Sequence, residues 1–388
     1  VRVAKLPDDR YPAISDLAKK AKKRIPYFAW EYMDSGTGGE RAMHRNREAI
    51  SEIKMVPRFM KGIIEPSIET EMFGVKYSAP FGIPPIGYTS LMWPYAEQIF
   101  AKLASQKRIP HCLSTVASDT PENCGGLSGD YGWFQLYPPR KEEIRTDIIK
   151  RAKDSGYHTL VVTADVPWPS MRERQRRAGI SIPPKLTPKI LAQICMRPEW
   201  ALRTLFRGQP NFDVMKKYVP QGDLKKIVSF VGSELGGCLD WDYFKKVRDQ
   251  WDGAVVLKGV LSTEDAKLAV KAGADGVWVS NHGGRQFEAS PAPITVLPDI
   301  KKTVGNKAKI MMDSGVRSGG DILRAKALGA DFVFLGRPFV YGVAALGEKG
   351  GNHVYELLYH DIINNMHQLG ITSLDEMKDV ELCFNKQS

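Results

Sequence analysis

The stretch VSNHGGRQ, residues 279–286, sets His282 and Arg285 three residues apart around two glycines. A histidine changes charge near neutral pH and so can take or give a proton. An arginine offers a planar fork that grips a carboxylate or phosphate through two parallel hydrogen bonds. The glycines between them let the backbone turn close to a ligand. Other polar residues close short apolar runs elsewhere in the chain: Ser114 and Thr115, Gln135 and Tyr137, Thr163 and Asp165, Lys258, Ser280, Asp313, and Gly336 with Arg337. Whether they work together depends on the elements that carry them.

Those elements are eight short β-rich runs separated by amphipathic helical stretches, at 79–85, 109–115, 132–137, 159–165, 254–259, 276–281, 309–315 and 331–336. Alternating strands and helices imply βαβ units and a parallel sheet. Eight of them are the count for an α/β fold of the closed (β/α)8 TIM-barrel type, with an open doubly wound sheet as the alternative. In such a barrel the loops after the strands build the site, so polar strand ends converge on one mouth. Residues 1–75 hold helical patterns and read as a cap on the barrel within a single domain spanning 1–388. Almost 90 residues separate the fourth and fifth runs, so 179–237 is an insertion, expected as a loop after strand 4. Near the end, 350–369 reads as a helix in which His353, His360 and His367 recur every seven residues. At about 1.5 Å rise per residue, neighbours stand roughly 10 Å apart and cannot share an ion. They are expected on the helix surface, and no metal site is expected.

After the seventh and eighth strands, MDSGVRSGGDI and LGRP place glycine-rich turns beside Arg317 and Arg337, and SGGDILRAKALG starts a helix whose first N–H groups favour an anion. This is the usual barrel position for a phosphate. The dinucleotide fingerprint GxGxxG is absent, which favours a mononucleotide such as FMN over NAD. The net charge of +11 comes without nucleic-acid-binding motifs, so a solvated basic surface, anionic lipid or anionic substrate is expected rather than nucleic acid. Five cysteines without CxxC spacing, and an opening VRVAKLPDDR without the apolar core of a secretion signal, lead us to expect a reducing, cytoplasmic setting. No run is long enough to span a bilayer. The insertion interleaves Trp200, Leu202, Leu205 and Phe206 with Arg197, Arg203 and Arg207, a composition suited to peripheral contact with an anionic inner membrane face or to a lid.

SNHGGRQ, together with WFQLY, TADVP, LKGV, DSGVR and LGRP in that family's set, resembles the FMN-dependent L-2-hydroxy acid oxidases and dehydrogenases, which include glycolate oxidase, lactate dehydrogenases and mandelate dehydrogenase. The resemblance covers nearly the whole chain. It implies that His282 is the catalytic base, that Asp165 pairs with its imidazolium, and that Tyr137 lies near the substrate hydroxyl. It implies that Arg172 and Arg285, with Tyr32, bind the substrate carboxylate. Lys258 would lie beside the flavin ring, with Thr115, Gln135, Thr163 and Ser280 as polar flavin contacts and Pro85, Ile86 and Gly87 alongside. Asp313, Ser314, Gly315, Arg317, Gly336 and Arg337 would hold the ribityl chain and phosphate. Ile86 and Tyr88 depart from the residues relatives often carry, and the side chain of the acid is expected around Tyr88, Met92 and Trp168. Glycine at 87 is what acceptor-linked dehydrogenases of the family tend to have, so electrons are expected to pass to a quinone or another acceptor, with a peroxide-forming oxidase as the alternative. The resemblance also implies a tetramer and membrane contact through 179–237.

Overall fold

β-branched and aromatic runs form strands, and in this chain eight of them pair in parallel: β1 Phe81–Gly82, β2 His111–Ser114, β3 Gly132–Leu136, β4 Thr159–Thr163, β5 Ala254–Val260, β6 Gly276–Val279, β7 Lys309–Met312 and β8 Phe332–Phe334. The computed structural model describes residues 7–180, 186–219 and 224–384. The sheet order is β1-β8-β7-β6-β5-β4-β3-β2. Its two ends meet through Ile83 and His111, with Ile83 N–H donating to the Pro110 carbonyl at 2.9 Å and Cys112 N–H to the Ile83 carbonyl at 3.0 Å. The sheet is therefore closed, the expected (β/α)8 barrel.

Side chains alternate across a strand, and the barrel uses that period of two to separate two environments. Phe134, Leu160, Val162, Val255, Leu257, Val277, Ile310 and Val333 join the large core beneath the helices. Cys112, Trp133, Val161, Val256, Trp278 and Met311 form a second, wholly buried cluster inside the ring, completed by Phe332 and Phe334. Two residues further along the same six strands come Ser114, Gln135, Thr163, Lys258, Ser280 and Asp313. The inner wall thus changes from apolar to polar at one level. A hairpin of Thr70–Met72 and Val75–Tyr77 packs Met72 and Tyr77 on the lower, apolar part, where Trp133 Nε1 donates to the Tyr77 hydroxyl at 3.1 Å. The end of the segment read as a cap therefore packs on the floor of the barrel, away from the polar strand ends.

The rest of that segment forms helices Ile14–Arg24, Tyr27–Asp34 and Arg41–Glu52 beside the mouth, and Ile53–Met55 pairs antiparallel with Leu382–Phe384 near the other terminus. The insertion, expected as a loop, is helical over its described residues: Pro188–Cys195, Pro198–Arg207, Asp213–Lys216 and Leu224–Glu234. Residues 181–185 and 220–223 of the expected insertion lie outside the described residues. Two starts are written locally, in Thr187, whose hydroxyl accepts from Ile190 N–H ahead of Pro188, and in Pro198 at a first helical turn. Trp200 anchors this layer, its Nε1 donating to the Leu91 carbonyl at 3.1 Å and its ring set edge-on to Phe28. Leu202, Leu205 and Phe206 are left exposed. No helix among the described residues is long and apolar enough to cross a membrane.

The helix Glu348–Leu369 corrects one expectation. His353 is not on the surface: it is buried, with Nε2 at 2.8 Å from the Tyr11 carbonyl, because the N-terminal arm covers the first turns of that helix. His360 stands 3.6 Å from Glu356, and His367 is exposed. No metal-ligating group of three was found among the described residues.

Candidate active site

His282 follows β6 with its backbone in the left-handed region, φ 58°, and its N–H on the Ser280 hydroxyl at 3.0 Å. Asp165 stands two residues beyond β4. It fits because β5 is irregular between Lys258 and Val260, and Gly259 (φ 100°) has no side chain there: a Cβ would lie 2.6 Å from that of Asp165. His282 Nδ1 and Asp165 Oδ1 are 3.0 Å apart. Burial holds the His282 pKa below its ordinary 6.5, and the charges of Lys258 and Arg172 add to that effect, together outweighing Asp165. Burial opposes ionisation of Asp165, yet His282 and Lys258 hold its pKa below the usual carboxylate value. The pair is thus a neutral imidazole beside a carboxylate. Nδ1–H donates to Asp165, and Nε2 is left as an acceptor 3.4 Å from the Tyr137 hydroxyl. Burial, reinforced by Asp165, raises the Tyr137 pKa and keeps the phenol protonated.

Around this pair the charge is positive. Lys258 is buried, with Nζ 3.0 Å from the Ser280 hydroxyl and 3.2 Å from Asp313 Oδ2. Burial alone would lower its pKa, but Asp313 and Asp165 raise it, so the ammonium persists. Arg285 Nη1 donates to the Ser35 carbonyl at 2.7 Å, and burial with the neighbouring Arg172 and Arg337 pushes its pKa down to about 9. Among the described residues the side-chain hydrogen bonds of Arg317 and Arg337 go to backbone carbonyls: Arg317 to Val316, Arg337 to Gly283 at 3.0 Å and to Ser35 at 3.1 Å. Burial pushes Arg317 down to about 10. Such crowded guanidiniums favour an anionic ligand.

The cleft they share encloses about 1030 Å3 of free space, part of it open to solvent. Tyr32, Pro85, Ile86, Gly87, Tyr137, Arg172, Lys258, His282 and Arg285 line it, as do Asp313, Ser314, Gly315, Arg317, Gly336 and Arg337. Asp165, Thr115, Gln135, Thr163 and Ser280 stand behind that lining; Thr115 Oγ1 donates to the Gln135 carbonyl at 2.6 Å and itself accepts Tyr137 N–H at 3.0 Å.

Two of the three residues expected around the acid's side chain do not line the cleft. Tyr88 is buried, packed on Phe212 at 5.0 Å with its hydroxyl on the Pro210 carbonyl, and Trp168 is exposed; only Met92 reaches the cleft. The helix expected to receive an anion is also corrected. The first N–H groups of Gly319–Ala327 are taken by Asp361 Oδ2, at 2.6 Å from Gly319 N and 3.3 Å from Gly320 N. Helix Gly336–Leu346 opens on the cleft instead, with no side-chain cap. Sequence reasoning missed Met33, Val116 and Val340 in the walls. It also missed Asn46, which exchanges hydrogen bonds with Asn281 at 2.8 and 2.7 Å. None of these carried a local signal beyond residue type.

A barrel whose polar mouth holds a carboxylate-backed histidine and an arginine-rich cleft has the make-up of an oxidoreductase built around a phosphorylated cofactor. Known proteins agree. The profile of FMN-dependent dehydrogenases matches residues 21–383. An L-lactate dehydrogenase of Caulobacter sp. (strain K31) is 35% identical over 94% of this chain and 96% of its own, and one of Vibrio parahaemolyticus is 36% identical over 89% and 91%. The crystal structure of the monotopic membrane protein (S)-mandelate dehydrogenase superposes with a TM-score of 0.93 at 31% identity, covering 97% of this chain and all of that one. Mandelate oxidase superposes at 0.81 with 30% identity, covering 96% and 99%. The chain belongs to the FMN-dependent dehydrogenase family. It is an FMN-dependent oxidoreductase, and its cleft fits that cofactor: among the described residues Arg337 Nε in the lining and Gln135 Nε2 behind it are buried with no hydrogen-bond partner, and Lys258 supplies a buried ammonium.

Proposed function

We propose that the protein oxidises an L-2-hydroxy acid to the 2-oxo acid. The observation that carries this is the neutral His282, backed by Asp165, facing the same cleft as two half-buried arginines, Arg172 and Arg285. The substrate carboxylate is held by Arg172 and Arg285, with Tyr32 beside them, and the hydroxyl lies toward Tyr137. Forked, charge-assisted hydrogen bonds fix the direction of the α-carbon, which a point charge would not do. His282 Nε2 accepts one proton, from the α-carbon or from the hydroxyl, and Asp165 stabilises the imidazolium that forms. FMN, when bound, would take up the two electrons together with the second of the two protons the substrate loses. Lys258, held charged, stabilises negative charge beside it. In this reading Pro85, Ile86, Gly87, Thr115, Gln135, Thr163 and Ser280 surround the ring, and Asp313, Ser314, Gly315, Arg317, Gly336 and Arg337 hold the ribityl chain and phosphate. The remaining walls, Met33, Met92, Val116 and Val340, are apolar and suit a hydrocarbon side chain of the lactate or mandelate kind.

The test is anaerobic mixing with 2-hydroxy acids. Purified protein should carry flavin absorbance that L-2-hydroxy acids bleach; His282→Ala should retain the flavin and bleach about 10²–10⁴ times more slowly. Bleaching at the original rate would sink the assignment of the base.

Two observations favour an acceptor other than oxygen. At position 87 a methyl would lie 2.5 Å from Val116 Cγ2, so the glycine is built in. The insertion turns Leu202, Leu205 and Phe206 outward, and the similar mandelate dehydrogenase is a monotopic membrane protein. We therefore read the insertion as a peripheral contact with an anionic membrane face and a quinone in that membrane as the acceptor. Reoxidation of reduced enzyme should be slow with oxygen and fast with a quinone. The reverse order would make it a peroxide-forming oxidase.

A further inference from the structure

Segment 31–40, EYMDSGTGGE, supplies both Tyr32 and the Ser35 carbonyl, and Arg174 in the short helix Glu173–Arg177 grips it. The Arg174 guanidinium is bidentate to Glu31, at 2.6 and 3.0 Å, and also bonds Glu40 at 2.9 Å and Asp34 at 3.0 Å. Its neighbours hold the same segment. Glu173 Oε2 accepts Gly38 N–H at 2.7 Å, and Gln175 Nε2 donates to the Tyr32 carbonyl at 3.2 Å and the Ser35 hydroxyl at 3.1 Å. Arg172 N–H reaches Thr37 Oγ1 at 3.5 Å.

What this segment touches on its other side gives the contact a function. The Ser35 carbonyl accepts from Arg285 at 2.7 Å and from Arg337 at 3.1 Å, so one oxygen orients two neighbouring arginines of the cleft lining. Asp34 Oδ1 accepts the Tyr341 hydroxyl at 2.6 Å, and Tyr341 belongs to helix Gly336–Leu346, which opens on the cleft with Arg337. Three carboxylates around a single guanidinium leave negative charge in excess, next to a cleft crowded with Arg172, Arg285 and Arg337. The nearly buried Glu31, 3% exposed, could not be left unpaired without a large desolvation cost.

We infer that Arg174 is a positioning residue that couples the substrate-carboxylate site to the phosphate end of the cofactor site through segment 31–40. The inference rests on the function proposed above. A lysine could not replace the guanidinium, because a point charge does not span three carboxylates with a bidentate fork.

Two equilibria test it without turnover: binding of FMN, followed by flavin fluorescence as holoenzyme is diluted, and binding of oxalate to oxidised holoenzyme, followed in the flavin absorption band. Arg174→Lys should weaken both by about tenfold or more, the scale of losing charge-assisted hydrogen bonds. KM should rise in step while kcat stays within about threefold. Glu40→Gln, which leaves Glu31 and Asp34 in place, should move both constants in the same direction by less, and it decides the matter if Arg174→Lys does not fold. A folded variant that binds both ligands like the parent, or loses only one, overturns the coupling. Arg285→Lys separates the two ideas. If it leaves oxalate binding unchanged, the functional reading fails; if it weakens oxalate while Arg174→Lys does not, only the coupling fails.

Discussion

His282 holds a left-handed backbone that a histidine seldom adopts, and such strain persists only where the surroundings over-determine it. Here Ser280, Ser314 and Asp165 do so, through the His282 N–H, the Gly283 N–H and the ring. The depressed His282 pKa has a kinetic consequence. The base must be neutral, so kcat/KM should fall as pH drops through a value below 6.5 and stay flat from there up to about 9, where Arg285 starts to lose its charge; an acid limb centred above 6.5 would contradict the burial argument. Asp165→Asn removes the group that favours the imidazolium, so the rate of flavin reduction should fall by about 10²–10⁴ with flavin retained. Much of this scale was legible in the residue types of SNHGGRQ and TADVP. The Ser35 carbonyl was not, because a backbone oxygen carries no residue signature, nor was the direction of Tyr88, which the distant Pro210 and Phe212 decide.

At the scale of elements, the eight strands could be read because short apolar runs recur between amphipathic helices. The use of helix Gly319–Ala327 could not, since Asp361, some 40 residues away in sequence, takes its first N–H groups. The insertion was legible as an interruption but not as helices, although Thr187-Pro188 and Pro198 mark two of its starts. Its helix Pro198–Arg207 is two-sided: Trp200 faces the protein, while Leu205 and Phe206 are 75% and 85% exposed. Replacing Leu205 and Phe206 with glutamate should abolish sedimentation with phosphatidylglycerol vesicles and leave turnover with a soluble dye acceptor within about twofold. Unchanged sedimentation would remove this helix from the membrane contact.

For the molecule as a whole, the interior below the cleft is held by apolar packing. Trp278 lies there, fully buried and stacked on Phe334 at 4.0 Å, so Trp278→Ala should cost about 3–5 kcal/mol of stability in denaturant unfolding. FMN binds only the folded ring, so the melting temperature should climb with free FMN, by the equivalent of about 2.7 kcal/mol at a hundredfold excess over Kd. Both effects descend from the same arrangement, six strands that change from apolar to polar at one level. Because side chains alternate, a slip of one residue in β5 would turn Lys258 under the helices and bring Leu257 to the ring. Misregistered chains would lose the cofactor's binding groups together with their stability. The yellow colour of a preparation, per mole of protein, is therefore a count of its correctly aligned barrels.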